Sequence, residues 1–233
     1  MKLDDLIEIY DIKKRQFGDK AYLHISEIFN EVRERYKEEY LSSPKAEKKR
    51  AQGKLPDAEQ SWKPFKGSNF EKLVLHIIER EIESLNLKCV SGNSLGNEHL
   101  TTKLSKVYYN LVVRYGRYSV LPDADLVIYE PKTSRVVGII SCKITLRERV
   151  AQTAYWKLKF MSDPLRMHIK GYLVTADEDG DLVTGMTDPS RNRIIVEHDL
   201  DGTYVLRDVA ESEKVKAFPR LIEDIRRLIS ESK

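Results

Sequence analysis

The sequence has little of what secreted, metal-clustered or membrane-spanning proteins require. Its two cysteines, Cys89 and Cys142, have the spacing of neither a zinc site nor a disulfide framework. We therefore predict a reducing, cytoplasmic environment. The N-terminal segment begins acidic and lacks the apolar stretch of a signal peptide. No apolar run approaches the roughly 20 residues that cross a bilayer, so no membrane partner is expected.

Neither positive nor negative charge is in large excess. The 40 Lys and Arg residues nearly balance 37 Asp and Glu residues, which leaves a formal net charge of +3. A total so close to balance permits nucleic-acid binding but does not argue for it, so local basic patches decide the matter. The length of 233 residues fits one domain with a sizeable core, or such a domain with a helical appendage.

The chain falls into three predicted regions. Residues 1–40 form an N-terminal helical region, because apolar residues recur there at helical spacing, with a break near Gly18. Residues 41–67 form a basic connection with three prolines and seven Lys or Arg residues against three acids, which predicts a mobile or irregular segment. Residues 68–233 form the core, whose first helix starts at Ser68 or Asn69 as a possible N-cap.

The core alternates between strand and helix patterns. Two apolar runs, at about 124–130 and 136–142, predict adjacent strands, and a helix follows over about 147–161. Three later segments read as strands, and the chain closes with an amphipathic helix; these four segments are HIKGYLVTAD, RIIVEHD, TYVLRDV and KAFPRLIEDIRRLIS. The order of elements predicts a mixed α/β arrangement around one sheet.

The centre of the chain places an acid and a lysine where a hairpin would bring them together. Asp123 opens the first apolar run, Lys143 ends the second, and the segment PKTS between the runs has the composition of a turn. In an antiparallel hairpin the start of one strand lies beside the end of the other. The pattern therefore predicts that these two side chains are neighbours.

A carboxylate beside an ammonium group is typical of metal-dependent phosphodiester hydrolysis. Mg²⁺ binds oxygen ligands and keeps several waters, and a lysine can orient the attacking water or stabilise charge on the phosphate. Many such nucleases carry a second acid two residues before the lysine, where this chain has Ser141. The missing carboxylate must come from elsewhere, and the candidates are Glu71, Asp125 and Glu148.

The segment ISCKITLRERVAQTAYWKLKF resembles type II restriction endonucleases of the BsaWI type. These belong to the PD-(D/E)XK enzymes that cut sites with a CCGG core, in which Ser-x-Lys replaces acid-x-Lys and an Arg-acid-Arg element follows. Ser141 and Lys143 match the first feature, and the run Arg147 to Arg149 matches the second. The segment from Gly67 to Glu71 resembles the one that supplies a remote glutamate, so the resemblance covers about residues 67–160.

The resemblance implies a fold, an activity and a set of site residues. The fold would be the PD-(D/E)XK restriction-endonuclease-like α/β fold, a central mixed β-sheet flanked by helices. The activity would be Mg²⁺-dependent, site-specific cleavage of double-stranded DNA at a short palindromic, CCGG-like site. Asp123 and Glu71 would bind Mg²⁺, Lys143 would serve the attacking water, and Ser141 would line the site.

The same resemblance implies how DNA is read. Arg147 and Arg149 would each contact a guanine in the major groove, and Glu148 would accept from a cytosine or hold an arginine. Gln152 would contact an adenine or a phosphate. Non-specific phosphate contacts are expected from a run in the basic connection, Lys48, Lys49 and Arg50. A palindromic site further implies a homodimer.

One departure from the family leaves other functions open. The family often has a glutamate on the helix after the lysine, whereas Lys157 and its neighbours are basic or apolar here. A structure-specific DNA nuclease on the same fold is one alternative, although it would have less need of the arginines. A DNA-binding protein with a decayed nuclease site is the other, because Ser141 lacks the charge of the usual acid.

Overall fold

The computed structural model describes residues 2–97, 100–147, 149–185 and 187–231. The chain divides into two compact units, residues 1–73 and 74–233. None of the described helices is long and apolar enough to cross a membrane. The predicted start of the core at residue 68 stays a prediction.

The first unit is helical. Its elements are α1 (Leu3–Phe17), a 3-10 helix (Gly18–His24), α2 (Ile25–Leu41), α3 (Pro44–Ala51) and the first part of α4 (Ala58–Ser84). Gly18 has a φ of +57°, a conformation that favours glycine, and it ends α1 where the sequence predicted a break. The buried side chains of α2 include Ile25, Ile28 and Phe29, which form the apolar face expected from their spacing.

The prediction of an irregular basic connection is wrong for most of its length. Ser43 caps α3 by accepting a hydrogen bond from the Ala46 N–H, and Asp57 accepts one from the Gln60 N–H at the start of α4. Helix α4 therefore begins ten residues before the predicted start at Ser68 and continues through Pro64. A proline usually ends a helix, but buried Trp62 packs this segment onto the rest of the unit.

The second unit is built on a six-stranded sheet. Its strands are β1 (Lys88–Ser91), β4 (Leu126–Tyr129), β5 (Val136–Lys143), β6 (Lys170–Thr175), β7 (Gly202–Val205) and β8 (Val215–Ala217), in the order β1-β4-β5-β6-β7-β8. The pairs β1–β4 and β4–β5 are antiparallel, and the pairs from β5 to β8 are parallel. This is the mixed sheet that the order of elements predicted.

Helices and one small hairpin complete the second unit. They are α5 (Gly92–Leu95), α6 (Thr102–Leu111), the hairpin of β2 (Val113–Tyr115) and β3 (Tyr118–Val120), α7 (Arg149–Met161), α8 (Arg191–Asp199) and α9 (Arg220–Glu231). Apolar side chains of α7, including Val150, Phe160 and Ala154, lie in the buried clusters on the two sides of this helix. The predicted helices near residues 147–161 and at the end of the chain are confirmed.

One predicted strand is a helix. The segment RIIVEHD forms most of α8, although its run of β-branched residues favours a strand. Ser190 caps this helix by accepting the Arg193 N–H at 3.0 Å, and the fully buried Arg193 side chain pairs with Glu197 one turn later at 2.9 Å. The cap and the pair both stabilise the helical conformation. Together with the burial of Arg193, they outweigh the local strand preference.

Candidate active site

The central hairpin is formed as predicted. Strands β4 and β5 pair in antiparallel register with Leu126 opposite Ile140, and the turn between them covers the predicted segment PKTS. Asp125 lies directly before β4, and its N–H donates to the Ile140 carbonyl at 3.1 Å. The pairing thus extends one residue beyond the strand and fixes the backbone at Asp125 against the end of β5.

Asp125 is the carboxylate that meets Lys143. Its Oδ2 accepts a hydrogen bond from Lys143 Nζ at 2.7 Å and another from the Cys142 N–H at 2.6 Å. Each of the two charged side chains is 12 % exposed, so the ion pair is largely buried but still open to solvent. A charge-assisted contact at this distance holds the ammonium group in one position.

Asp123 occupies a different position from the one predicted. It is exposed, and its Oδ2 accepts a hydrogen bond from Gln152 Nε2 at 2.5 Å. The chain turns just before β4, where the Ala124 N–H donates to the Pro122 carbonyl at 2.9 Å. Because this turn lies outside the strand, the alternation of strand side chains does not reach Asp123. The structure therefore brings Asp125, rather than Asp123, into contact with Lys143.

Ser141 and Lys143 lie on the same face of β5, since side chains alternate along a strand. Ser141 is buried, at 1 % exposure, and lines the site without adding charge. On the other side of β5, Lys143 is in register with Thr175 of β6, and its carbonyl accepts the Ala176 N–H at 3.2 Å. The strand end that carries the lysine is therefore held from both neighbouring strands.

An acidic segment after β6 runs alongside the residues that follow Lys143. The Glu178 N–H donates to the Ile144 carbonyl at 3.1 Å, and Asp179 Oδ2 accepts the Leu146 N–H at 3.0 Å. Burial raises the pKa of the Asp177 carboxyl to about 6, and this carboxylate accepts the N–H of Leu182 at 3.0 Å. The segment supports the loop between β5 and α7.

That loop presents two predicted DNA-reading arginines. Arg147 is exposed and has a φ of +41°, a left-handed conformation that is unusual for a residue with a side chain. Arg149, also exposed, is the first residue of α7, and its N–H donates to the Leu146 carbonyl at 3.0 Å. Glu148 lies outside the described residues. A strained backbone at an exposed arginine is the kind of outlier found at binding sites.

Two further residues of α7 have defined structural contacts. Gln152, predicted to touch DNA, ties α7 to the segment before β4 through its bond to Asp123. Lys157, among the positions where a further glutamate was considered, is buried, and its ammonium pairs with Asp201 at 2.7 Å. This position of α7 therefore takes part in an internal ion pair.

The remaining predicted site residues lie in the first unit. Glu71 is on α4, and its role in metal binding stays a prediction. Lys48, Lys49 and Arg50 form the last turn of α3. Arg50 donates to the Leu41 carbonyl at 2.9 Å, and Lys49 Nζ lies 5.9 Å from the centroid of the Tyr40 ring. These cations are thus fixed on a helix rather than carried by a mobile connection.

The donor set would suit a divalent metal that takes only a few protein ligands. Among the described residues, no three His, Cys, Asp or Glu side chains form a ready metal cluster. Mg²⁺ is commonly bound by only one or two carboxylates, with waters and substrate phosphate oxygens as the other ligands. The partly exposed carboxylate of Asp125 and the exposed one of Asp123 supply oxygen ligands of that kind near the hairpin.

The sequence predicted that Asp123 lies beside Lys143, whereas Asp125 makes that contact. Asp179 was not identified from the sequence either. A signal for Asp125 was present, because this residue directly precedes the apolar run LVIY, whereas Asp123 is two residues further from it. Nothing in the sequence pointed to Asp179, since its contact with the Leu146 N–H depends on the parallel pairing of β5 with β6.

Comparisons with known proteins agree on one family. The family model described as BsaWI restriction endonuclease type 2 matches residues 101–228. "Putative type II restriction enzyme MjaVIP" of Methanocaldococcus jannaschii is 35% identical over 212 residues, which cover 87% of this chain and 92% of that protein. "Probable type II restriction enzyme HpyAORF263P" of Helicobacter pylori is 31% identical over 125 residues, which cover 54% of this chain and 65% of that protein.

A solved structure shows the same fold. The restriction endonuclease PspGI, in complex with substrate DNA, superposes with a TM-score of 0.53 at 15% identity, over 99% of this chain and 94% of that one. This likeness confirms the predicted fold, a central mixed sheet flanked by helices.

Proposed function

The chain belongs to the BsaWI family of type II restriction endonucleases, and from that premise we propose that it is a Mg²⁺-dependent enzyme cutting both strands of DNA at a short palindromic, CCGG-like site. The observation that carries the proposal is the contact between Asp125 and Lys143, with the exposed Arg147 and Arg149 in the segment that follows. The proposed base readers and the proposed hydrolytic centre are therefore separated by only a few residues in the sequence.

The proposed roles of the chain's residues follow from their contacts. Asp125 holds the Lys143 ammonium, which in turn orients a water molecule towards the scissile phosphate and stabilises the charge that develops there. Ser141 closes the site beside the lysine without competing for its charge. Because the ammonium is fixed before DNA arrives, little reorganisation is needed when the phosphate binds.

The proposed metal ligands are Asp125 and Asp123, and the family resemblance adds Glu71. Bound Mg²⁺ would activate the attacking water and neutralise charge on the phosphate and the leaving oxygen. Asp125 would offer the metal a carboxylate whose Oδ2 is already oriented by Lys143 and the Cys142 N–H. Asp123 would supply a second carboxylate, which its hydrogen bond with Gln152 orients.

Recognition of G/C base pairs is proposed for the two arginines. An arginine can donate two hydrogen bonds to guanine O6 and N7 in the major groove, which suits a site with consecutive guanines. Cutting both strands of a palindrome with one active site per chain calls for a homodimer, which is also part of the proposal. The proposed place of action is the cytoplasm, where a restriction enzyme meets incoming DNA.

The proposal is tested by incubating the protein with a long unmethylated DNA of known sequence. With Mg²⁺ we expect discrete fragments whose mapped ends share one palindrome, and with EDTA or with Ca²⁺ alone no fragments. A four-way junction of the same composition, assayed in parallel, should be cut no faster than plain duplex. Selective binding with no cleavage in Mg²⁺ or Mn²⁺ would instead support a DNA-binding protein with a decayed site, and preferred cutting of the junction would support a structure-specific nuclease.

A separate prediction concerns the loop that presents Arg147. The Asp179→Ala variant removes the acceptor of the Leu146 N–H bond, which is worth about 1 kcal/mol. Since a loss of that size corresponds to a factor of roughly five to ten, we expect selectivity between the cognate site and a site with one changed base pair to fall about that much. The measurement is kcat/KM on the two oligonucleotides.

The conservative variant provides the control for that prediction. In Asp179→Asn the amide oxygen can still accept from the Leu146 N–H, so selectivity should return most of the way to that of the wild type. Unchanged selectivity in Asp179→Ala would show that the loop does not depend on this bond.

A further inference from the structure

The outer face of α7 carries an exposed cluster that the proposed catalytic residues do not use. We call the tyrosine–lysine cluster the group formed by Tyr115 of β2 with Tyr155 and Lys159 of α7. The two tyrosine hydroxyls lie 2.6 Å apart, and Lys159 Nζ lies 5.3 Å and 5.4 Å from the two ring centroids. The two tyrosines are 36% and 43% exposed, so the cluster faces solvent.

The cluster is rich in donors. The hydrogen bond with Tyr155 raises the pKa of Tyr115. One proton lies between the two oxygens, and the other can point outwards beside the ammonium of Lys159. Within the described part of the chain, no carboxylate pairs with Lys159, which sits over the two rings. Hydroxyl and ammonium donors in one exposed cluster match the oxygens of a phosphate group.

Neighbouring cations strengthen this match. Arg114 and Arg117 are exposed on the same small hairpin, and the guanidinium of Arg117 lies 5.0 Å from the ring centroid of Tyr118 while donating to its hydroxyl at 2.8 Å. The surface therefore combines aromatic rings with positive charge. That combination fits the sugar–phosphate backbone of DNA better than a basic or purely apolar partner.

The axial rise of α7 sets the distance between Arg149 and the tyrosine–lysine cluster, and this distance is to be compared with the depth of the major groove. A helix rises 1.5 Å per residue, so Tyr155 lies about 9 Å and Lys159 about 15 Å behind Arg149 along the axis. The major groove is roughly 8.5 Å deep. With Arg149 touching base edges at the groove floor, Tyr155 stands at the level of the groove's edge, where the phosphates lie. The backbone of Lys159 lies further back, and its ammonium lies 5.4 Å from the centroid of the Tyr155 ring. This step rests on the proposed function, because it takes Arg149 as a base reader.

We propose that the tyrosine–lysine cluster binds a backbone phosphate of the DNA and thereby fixes how far α7 enters the major groove. The contact is independent of base sequence. It strengthens binding to every duplex and orients the helix whose first residue reads a base.

The test is the salt dependence of DNA binding by Lys159→Gln, measured in Ca²⁺ on a cognate and on an unrelated duplex. Each phosphate contact by a cation contributes about 0.9 to the slope of log K against log salt concentration. The slope should therefore decrease in magnitude by about 0.9, with equal weakening on both duplexes. Tyr155→Phe, which loses a hydroxyl but no charge, should weaken binding to both duplexes severalfold and leave the slope unchanged.

The matched control is Lys132→Gln. Lys132 is exposed in the turn between β4 and β5, roughly 20 Å or more along the sheet from Lys143, so its removal should change neither slope nor affinity. An unchanged slope in Lys159→Gln overturns the inference, and a change in sedimentation of that variant without a change in slope would assign the surface to a second copy of the chain. Failure of the proposed function looks different, because the wild-type protein would then bind no duplex or cut none.

Discussion

Asparagine in place of Asp125 is expected to reduce DNA cleavage by on the order of 10³-fold while binding of cognate duplex in Ca²⁺ stays within a few-fold of the wild type. The substitution keeps the shape of the side chain and removes its charge. Lys143 then loses the carboxylate that holds its ammonium at 2.7 Å, and the site loses an oxygen ligand for the metal. Single-turnover cleavage of an oligonucleotide at saturating enzyme measures the effect.

Asp123→Asn is the matched comparison. This variant removes the charge of one proposed metal ligand but leaves the contact between Asp125 and Lys143 in place, so we expect a smaller decrease than in Asp125→Asn. Lys143→Ala should be as inactive as Asp125→Asn, and the double variant no worse than either, because residues that act as a unit are not additive. A larger loss in Asp123→Asn than in Asp125→Asn would contradict the structural assignment and favour the one read from the sequence.

Measuring Tm distinguishes a variant that has lost catalysis from one that has lost folding stability. Asp125→Asn leaves a largely buried ammonium without its partner, so its Tm should fall. Adding Lys143→Met removes that unpaired charge and should restore Tm without restoring cleavage. Activity that returned together with Tm would show that the pair only stabilises the fold.

Alanine at position 92 is expected to lower the cleavage rate about a hundredfold. Gly92 follows β1 directly, and its N–H donates to the Asp125 carbonyl at 2.9 Å. A Cβ there would lie 1.8 Å from the Ala124 carbonyl oxygen, and real Cβ atoms essentially never come closer than 3.0 Å. The backbone at Gly92 and the backbone beside Asp125 must therefore separate by more than 1 Å. Displacements of about 1 Å at reacting groups cost roughly 10²-fold.

The effect of Gly92→Ala should appear in kcat and in the Mg²⁺ concentration needed for half-maximal rate, with KM for DNA little changed. Gly96→Ala is the control on the same segment, since a Cβ there makes an ordinary 3.7 Å contact with the Asn93 carbonyl oxygen. Cleavage by Gly92→Ala at the wild-type rate would show that this glycine does not position Asp125.

The sequence was sufficient for the hairpin but not for its exact active-site register. Two apolar runs separated by PKTS can pair in few ways, which is why β4 and β5 lie where they were predicted. Which aspartate meets Lys143 depends on where the strand begins, and the turn closed by the Ala124 N–H and the Pro122 carbonyl places that start at Leu126. Such a local turn leaves no periodic pattern in the sequence.

Other differences have the same origin in long-range contacts. RIIVEHD becomes a helix because burial of Arg193 supplies hydrogen bonds to the Leu182 and Ala210 carbonyls, 11 and 17 residues away in sequence. In the second part of the basic connection, the start of α4 is held as a helix by Trp62, which packs against Phe29 and Tyr36 of α2. In both cases tertiary packing overrides local preference.

The central position of β5 in the sheet protects the strand that carries Lys143 from local unfolding. β5 is eight residues long and is paired on one side with β4 and on the other with β6, while β1 and β8 lie at the edges. Edge elements open at low free-energy cost, whereas a central strand exchanges its amide protons only when much of the domain opens. Lys143 and the Cys142 N–H that donates to Asp125 are therefore expected in the slowest-exchanging part of the sheet, so fraying at its edges leaves the Asp125–Lys143 pair assembled.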